Sequence, residues 1–109
     1  MSQVPEVDVQ ELADALDGGA PLIDVREPAE FAEARAPGAV LIPLGEAAER
    51  TGEVPTDRTV YVICRSGRRS ASAVEHWRAQ GIDAVNVAGG TLAWIEAGFP
   101  VETGSGASG

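Results

Sequence analysis

The stretch that constrains this chain most is Val60-Tyr61-Val62-Ile63-Cys64-Arg65-Ser66-Gly67-Arg68-Arg69-Ser70. An apolar run ends in the only cysteine, a loop with one glycine and three arginines follows, and helix-compatible residues continue to Gln80. Strand, loop, helix is the reading of that order. It puts Cys64 at the carboxyl edge of a sheet, beside a helix N-terminus. The peptide N–H groups of a tight loop and the positive end of a helix make such a place an anion site. A thiol held there has a lowered pKa and spends more time as thiolate than a free cysteine. This is the pattern of a nucleophile working on an anion. An inert core cysteine is the alternative, and the Arg-Ser-Gly-Arg-Arg that follows Cys64 argues against it.

The charge of that loop stands against the rest of the chain. The formal net charge is −9 and there is no lysine, so all eight basic residues are arginines. Three of them, Arg65, Arg68 and Arg69, fall in one loop. So acidic a protein is not built for nucleic acid or an anionic membrane, whereas a positive loop on it suits a small anion. Ion pairing with the plentiful carboxylates is the other reading of these arginines. A single cysteine forms no internal disulfide and builds no zinc site alone. No apolar run approaches the length of a membrane span, and the polar N-terminus lacks a signal-peptide pattern. A reducing, cytoplasmic location is therefore expected. At 109 residues the chain is read as one domain, large enough for a core without staples. That domain is expected over residues 1–102, with a flexible Gly/Ser tail at 103–109.

The remaining elements follow in order. Asp8 with Glu11 three residues later is a capping-box pattern; Leu12, Ala13 and Leu16 then recur at helical spacing until Gly18-Gly19. Residues 21–25 read as a buried strand. Pro28 suits the first turn of a helix over residues 29–35, with Phe31 inward. Residues 39–43 read as a second strand and 45–50 as a short helix, and 51–58 as a surface connection rich in breakers. The strand at 59–63 is nearly continuous in apolar residues, as expected when both faces are covered. The next helix is expected to start at Ser70 and end near Gly81. Residues 84–87 give a fourth strand and 91–97 a last helix. The predicted core holds Leu22, Ile23, Phe31, Val40, Ile42, Val60, Val62, Trp77, Val85, Val87 and Trp94. Alternating strands and helices predict an α/β fold, a mostly parallel sheet with helices on both faces. Ligands in such sheets sit beyond the carboxyl ends of the strands, where the loops bearing Arg26 and Cys64 would meet.

Three segments, in this order, resemble the rhodanese family of sulfurtransferases, in its single-domain form. They are Leu22-Ile23-Asp24-Val25-Arg26-Glu27-Pro28-Ala29-Glu30-Phe31 continued by Pro37-Gly38-Ala39, then Cys64-Arg65-Ser66-Gly67-Arg68-Arg69-Ser70, then Gly89-Gly90 with Ala93-Trp94, Gly98, Pro100 and Val101. The resemblance implies a rhodanese-like three-layer fold with a five-stranded, largely parallel sheet. It also implies a cysteine that carries sulfur as a persulfide. Where many members have Gly-His-Ile before the Pro-Gly, this chain has Ala34-Arg35-Ala36, read as a local surface or packing change. The loop is neither the Cys-Arg-Lys-Gly form associated with thiosulfate enzymes nor the Cys-Gly-Ser-Gly form associated with mercaptopyruvate enzymes, so the donor stays open.

Sulfur transfer through a persulfide on Cys64 is the expected activity, with a small anionic donor such as thiosulfate and a thiophilic acceptor, a protein acceptor included. Loop N–H groups are expected to converge on the Cys64 sulfur, with Gly67 supplying a positive φ and Ser66 lying between. Arg65 and Arg69 are the candidates for the donor's oxygens; Arg68 is placed in solvent or at the site. Arg26 is expected to close the far side of the pocket, and Asp24 to pair with an arginine. Ser70 is read as a helix cap, its hydroxyl reaching the sulfur as the alternative. His76 falls mid-helix with no partner in reach and is read as a solvent-facing residue. A cysteine-dependent phosphatase or arsenate reductase is a second reading. Its arginine should follow five intervening residues, where this chain has Ser70. A binding module or persulfide relay serving a partner enzyme is a third. No metal, nucleotide or flavin is implied.

Overall fold

The structure is a computed structural model, and it describes residues 4–104. The expected tail at 103–109 lies for the most part outside the described residues. Gly104 is tied down: its N–H donates to the Ala32 carbonyl at 2.7 Å and its carbonyl accepts from Arg35 at 2.9 Å.

The described residues form five strands and four α-helices, in the order β1 (Glu6–Val7), α1 (Val9–Asp17), β2 (Leu22–Asp24), α2 (Pro28–Glu33), β3 (Val40–Leu41), β4 (Val60–Ile63), α3 (Arg68–Ala79), β5 (Ala84–Val87) and α4 (Gly90–Glu96), with no α-helix between β3 and β4. The strands form one sheet in the order β1-β5-β4-β2-β3, and every pair in it is parallel. This is the α/β architecture expected from the alternation of strand and helix patterns. The register sets Asp24 beside Ile63 and Val62 beside Asn86. The chain therefore leaves β2 and β4 at one level, and the loops that follow them open on the same edge.

Side chains alternate across the sheet, because successive strand residues point to opposite faces. Ile23, Val60 and Val62 pack with Val74 and Trp77 of α3. Their neighbours Leu22 and Ile63 pack with Leu12 of α1 and Trp94 of α4. Two helical layers thus sandwich the sheet, and β4 is buried on both sides. The capping box at α1 forms as expected, with Asp8 accepting from the Glu11 N–H and Glu11 from the Asp8 N–H.

Several local expectations are corrected. α3 begins at Arg68, two residues before Ser70, because Gly67 takes φ +104° and turns the chain directly into the helix. Ser70 is thus inside the first turn and is no cap. The expected helix over 45–50 is replaced by two 3₁₀ turns, Leu44–Glu46 and Thr51–Glu53, which carry Ala47 and Val54 into the core. Val40 is 56% exposed, since β3 lies at the sheet edge, and Val85 is only partly buried. Of the two readings of the Ala34-Arg35-Ala36 segment, surface or packing, packing holds for Arg35. It is buried, its guanidinium lies over the Phe31 ring at 4.5 Å and donates to the Phe31 carbonyl, and the strand-like bridge Arg35–Glu102 brings the C-terminal segment alongside it.

Candidate active site

Cys64 follows the last residue of β4, and only Arg65, Ser66 and Gly67 separate it from α3. So short a connection folds the loop back over the sulfur. The Gly67 N–H donates to Cys64 Sγ at 3.1 Å, and the Ser70 hydroxyl lies 3.3 Å from it. Burial pushes the thiol pKa up. The Ser70 hydroxyl and the N–H groups of Ser70, Gly67 and Ser66 pull it down, and the balance is below the ordinary thiol range. A thiolate is favoured here by the same peptide dipoles that would serve a bound anion.

The reverse side of the loop is held by α4. Thr91 gives its N–H to the Cys64 carbonyl at 2.8 Å and its hydroxyl to the same oxygen at 3.0 Å, and the Leu92 N–H meets the Arg65 carbonyl at 3.1 Å. Gly90, with φ +59°, is what permits this approach: a Cβ there would stand 2.5 Å from both the Cys64 and the Arg65 carbonyl oxygens.

Asp24 is fully buried and pairs with Arg26, which donates to it through its backbone N–H, Nε and Nη2 at 2.8–3.1 Å. Arg26 also holds the Ala34 carbonyl at 2.8 Å. A carboxylate so occupied, with both oxygens accepting from Arg26, braces a loop. Arg69 turns to α2, where Glu30 takes both of its Nη groups at 2.8 Å. The ion-pair reading therefore applies to Arg69, and the pair draws the Glu30 pKa down to about 2, chiefly through the Arg69 hydrogen bonds. Arg65 and Arg68 are exposed, and their guanidinium groups make no hydrogen bond or ion pair among the described residues. Arg65 and Arg26 share a cleft of about 130 Å³, with Leu92 and Ile95 on its wall. The two loops expected to meet thus do so. His76 is exposed on α3, as its position suggested.

Two contributors were not singled out by the sequence: Thr91 and Asn86. Asn86 is fully buried on β5. Its Nδ2 donates to the Gly67 carbonyl at 3.1 Å and to Glu6 of β1 at 2.8 Å, and its Oδ1 accepts from the Ser70 hydroxyl. The available signal was a lone amide inside Ala84-Val85-Asn86-Val87, since a buried amide needs partners.

Known proteins share this fold. The family model described as "Rhodanese-like domain" matches residues 8–97. A sulfurtransferase of Allochromatium vinosum is 41% identical over 93 residues, which cover 84% of this chain and 85% of that one. A rhodanese-related protein of Thermoplasma volcanium superposes with a TM-score of 0.85 at 34% identity, over 90% of this chain and 97% of the other. A thiosulfate sulfurtransferase of Pseudomonas aeruginosa gives 0.84 at 28% identity; the match covers 93% of this chain and 20% of that longer protein.

Proposed function

Because this chain belongs to the rhodanese family, we propose that it is a sulfurtransferase that carries sulfane sulfur as a persulfide on Cys64. One observation carries the reading: a buried sulfur receives a loop N–H at 3.1 Å and, among the described residues, has no acid or base side chain bonded to it. That environment favours a thiolate and offers no general acid among the described residues. It suits a reaction whose leaving group needs no proton.

Thiosulfate is such a donor. The Cys64 thiolate attacks the outer sulfur, and a new S–S bond forms as the S–S bond of thiosulfate breaks. The bonding pair leaves with sulfite. A thiophilic acceptor, cyanide or a thiolate, then attacks the outer sulfur of the persulfide, and the electron pair of that S–S bond returns to Cys64 as thiolate. Two half-reactions through a covalent intermediate give ping-pong kinetics. Ser66, Gly67 and Ser70 bear the negative charge on sulfur through their N–H groups. Arg65, joined by Arg68, receives the oxygens of the donor, for a guanidinium fork matches an oxyanion. Arg26 closes the cleft, braced by Asp24, while Arg69 acts from a distance by charge. A protein thiol as acceptor is favoured by Leu92 and Ile95, which stay 47% and 46% exposed beside Arg65. A lone reactive thiol suits a reducing, cytoplasmic setting.

A phosphatase or arsenate reductase would need an arginine where Ser70 stands, and a free aspartate as acid; Asp24 is bound on both oxygens by Arg26. Steady-state assay of the full chain with thiosulfate and cyanide tests the choice. Parallel double-reciprocal lines, abolished by Cys64→Ser, are expected. Hydrolysis of an aryl phosphate without thiocyanate formation would reverse it.

A further inference from the structure

We propose that Asn86 is a positioning residue that holds the single hydroxyl proton of Ser70 and thereby opposes ionisation of the Cys64 thiol. The argument starts from donors and acceptors. The two groups facing Asn86 Nδ2 are the Gly67 carbonyl at 3.1 Å and the Glu6 carboxylate at 2.8 Å. Both only accept, so the amide nitrogen must face them and the amide oxygen must face Ser70. The register agrees, since Glu6 and Asn86 are direct partners in the β1–β5 pair. An amide oxygen accepts and never donates, so the Ser70 hydroxyl gives its proton to Asn86 Oδ1.

That hydroxyl has one proton, and its oxygen is also 3.3 Å from Cys64 Sγ. While Ser70 serves Asn86 it presents a lone pair to the sulfur. The complete chain is then Cys64 S–H to Ser70 Oγ–H to Asn86 Oδ1, which suits the neutral thiol. When the thiol ionises, a lone pair of Ser70 faces a negative sulfur. The hydroxyl must turn to the sulfur, and Asn86 Oδ1 loses its donor in a fully buried place. A buried acceptor left unmet opposes that change. The loop N–H groups lower the thiol pKa, and Asn86 limits how far it falls.

The charges around this chain stay as they are in the test. Arg69 on α3 lies near Cys64 and Asp24, held by Glu30 of α2. Arg26 neutralises Asp24 at the end of β2. Glu6 of β1 faces Asn86. Arg65 in the loop and Arg68 at the start of α3 are exposed.

The inference rests on Cys64 as the reacting sulfur proposed above, but its test needs no sulfur donor: the thiol pKa is read from the pH dependence of alkylation by iodoacetamide. A failure here is thus separate from a failure of sulfur transfer. Four full-length proteins are compared: wild type, Asn86→Leu, Ser70→Ala and the double variant. Asn86→Leu should lower the Cys64 pKa by about half to one unit, because Ser70 is then free to serve the sulfur. Ser70→Ala should raise it, and Asn86→Leu should cause no fall in the Ser70→Ala background. Loss of the Gly67 anchor alone would shift the pKa alike in both backgrounds. That result, or no shift in either, overturns the proposal. Should Asn86→Leu fail to fold, the wild type answers by itself against Ser70→Ala. The Asn86 side-chain carbonyl ¹³C resonance should move with the thiol titration in the wild type and lose that movement without the Ser70 hydroxyl. Equal movement in both overturns the proposal.

Discussion

Arg69 at the start of α3 is gripped by Glu30 of α2 through two bonds of 2.8 Å. The pair is fork to fork, the geometry in which guanidinium and carboxylate bind best. It joins the helix behind the cysteine loop to the helix that follows β2. It also commits one of the three loop arginines to structure.

The pair makes a pH-dependent contribution to stability. The Glu30 pKa is lowered from 4.5 to about 2 in the folded chain, so its contribution is full above the unfolded value and is lost as pH falls through the folded one. Glu30→Gln should therefore cost about 0.5–1 kcal/mol at neutral pH, the partial exposure of both side chains keeping the figure small. The deficit should shrink across pH 4.5 to 2. Urea unfolding of both proteins at a series of pH values reads it directly, and a deficit independent of pH would dismiss the ionic origin.

With Arg69 engaged, Arg65 is the cleft guanidinium proposed to receive the donor. Arg65→Ala should raise KM for thiosulfate by about tenfold, the worth of one charge-assisted hydrogen bond. Arg69→Ala should raise it less and should lower stability instead. Steady-state kinetics with thermal unfolding of both variants separates the two arginines; the reverse ranking of KM would put the donor's oxygens at Arg69.

Gly90 predicts a stability effect with a functional one attached. Its φ is +59°, and a Cβ would meet the Cys64 and Arg65 carbonyl oxygens at 2.5 Å. Gly90→Ala should cost about 3 kcal/mol or more, from backbone strain and overpacking together. Gly19, with φ +87° and nothing within 4 Å of such a Cβ, is the control: Gly19→Ala carries strain alone, about 1–2 kcal/mol. Denaturant midpoints compare them. Sulfur loading of Cys64 should slow in Gly90→Ala only, since that substitution alone pushes on the loop.

The parts of this fold legible in the sequence are those written in local patterns. The capping box at Asp8 and Glu11, the apolar run into Cys64 and the glycines at 18–19 each act within a few residues. The rest depends on distant partners. β1 is only two residues long and becomes a strand by pairing with β5. Val40 reads as core by hydrophobicity, yet its place at the sheet edge leaves it exposed. Ser70 looks like a cap in the sequence, but the positive φ of Gly67 starts α3 two residues earlier. Within the site, the cysteine, its loop and the pairing of Asp24 with an arginine were readable; that the arginine is Arg26 was not. Asn86 and Thr91 were not, because they act from β5 and α4 on a loop some twenty residues away. Arg69 was readable as positive charge, but its commitment to Glu30 spans 39 residues.

The most direct measurement is intact-protein mass spectrometry of the fully reduced chain before and after thiosulfate, beside Cys64→Ala. A gain of one sulfur atom in the wild type alone, removed by cyanide, is the predicted result. No gain with thiosulfate but a gain with mercaptopyruvate or a persulfidated protein would change the donor and keep the carrier. No gain with any of these donors would contradict persulfide transfer at Cys64.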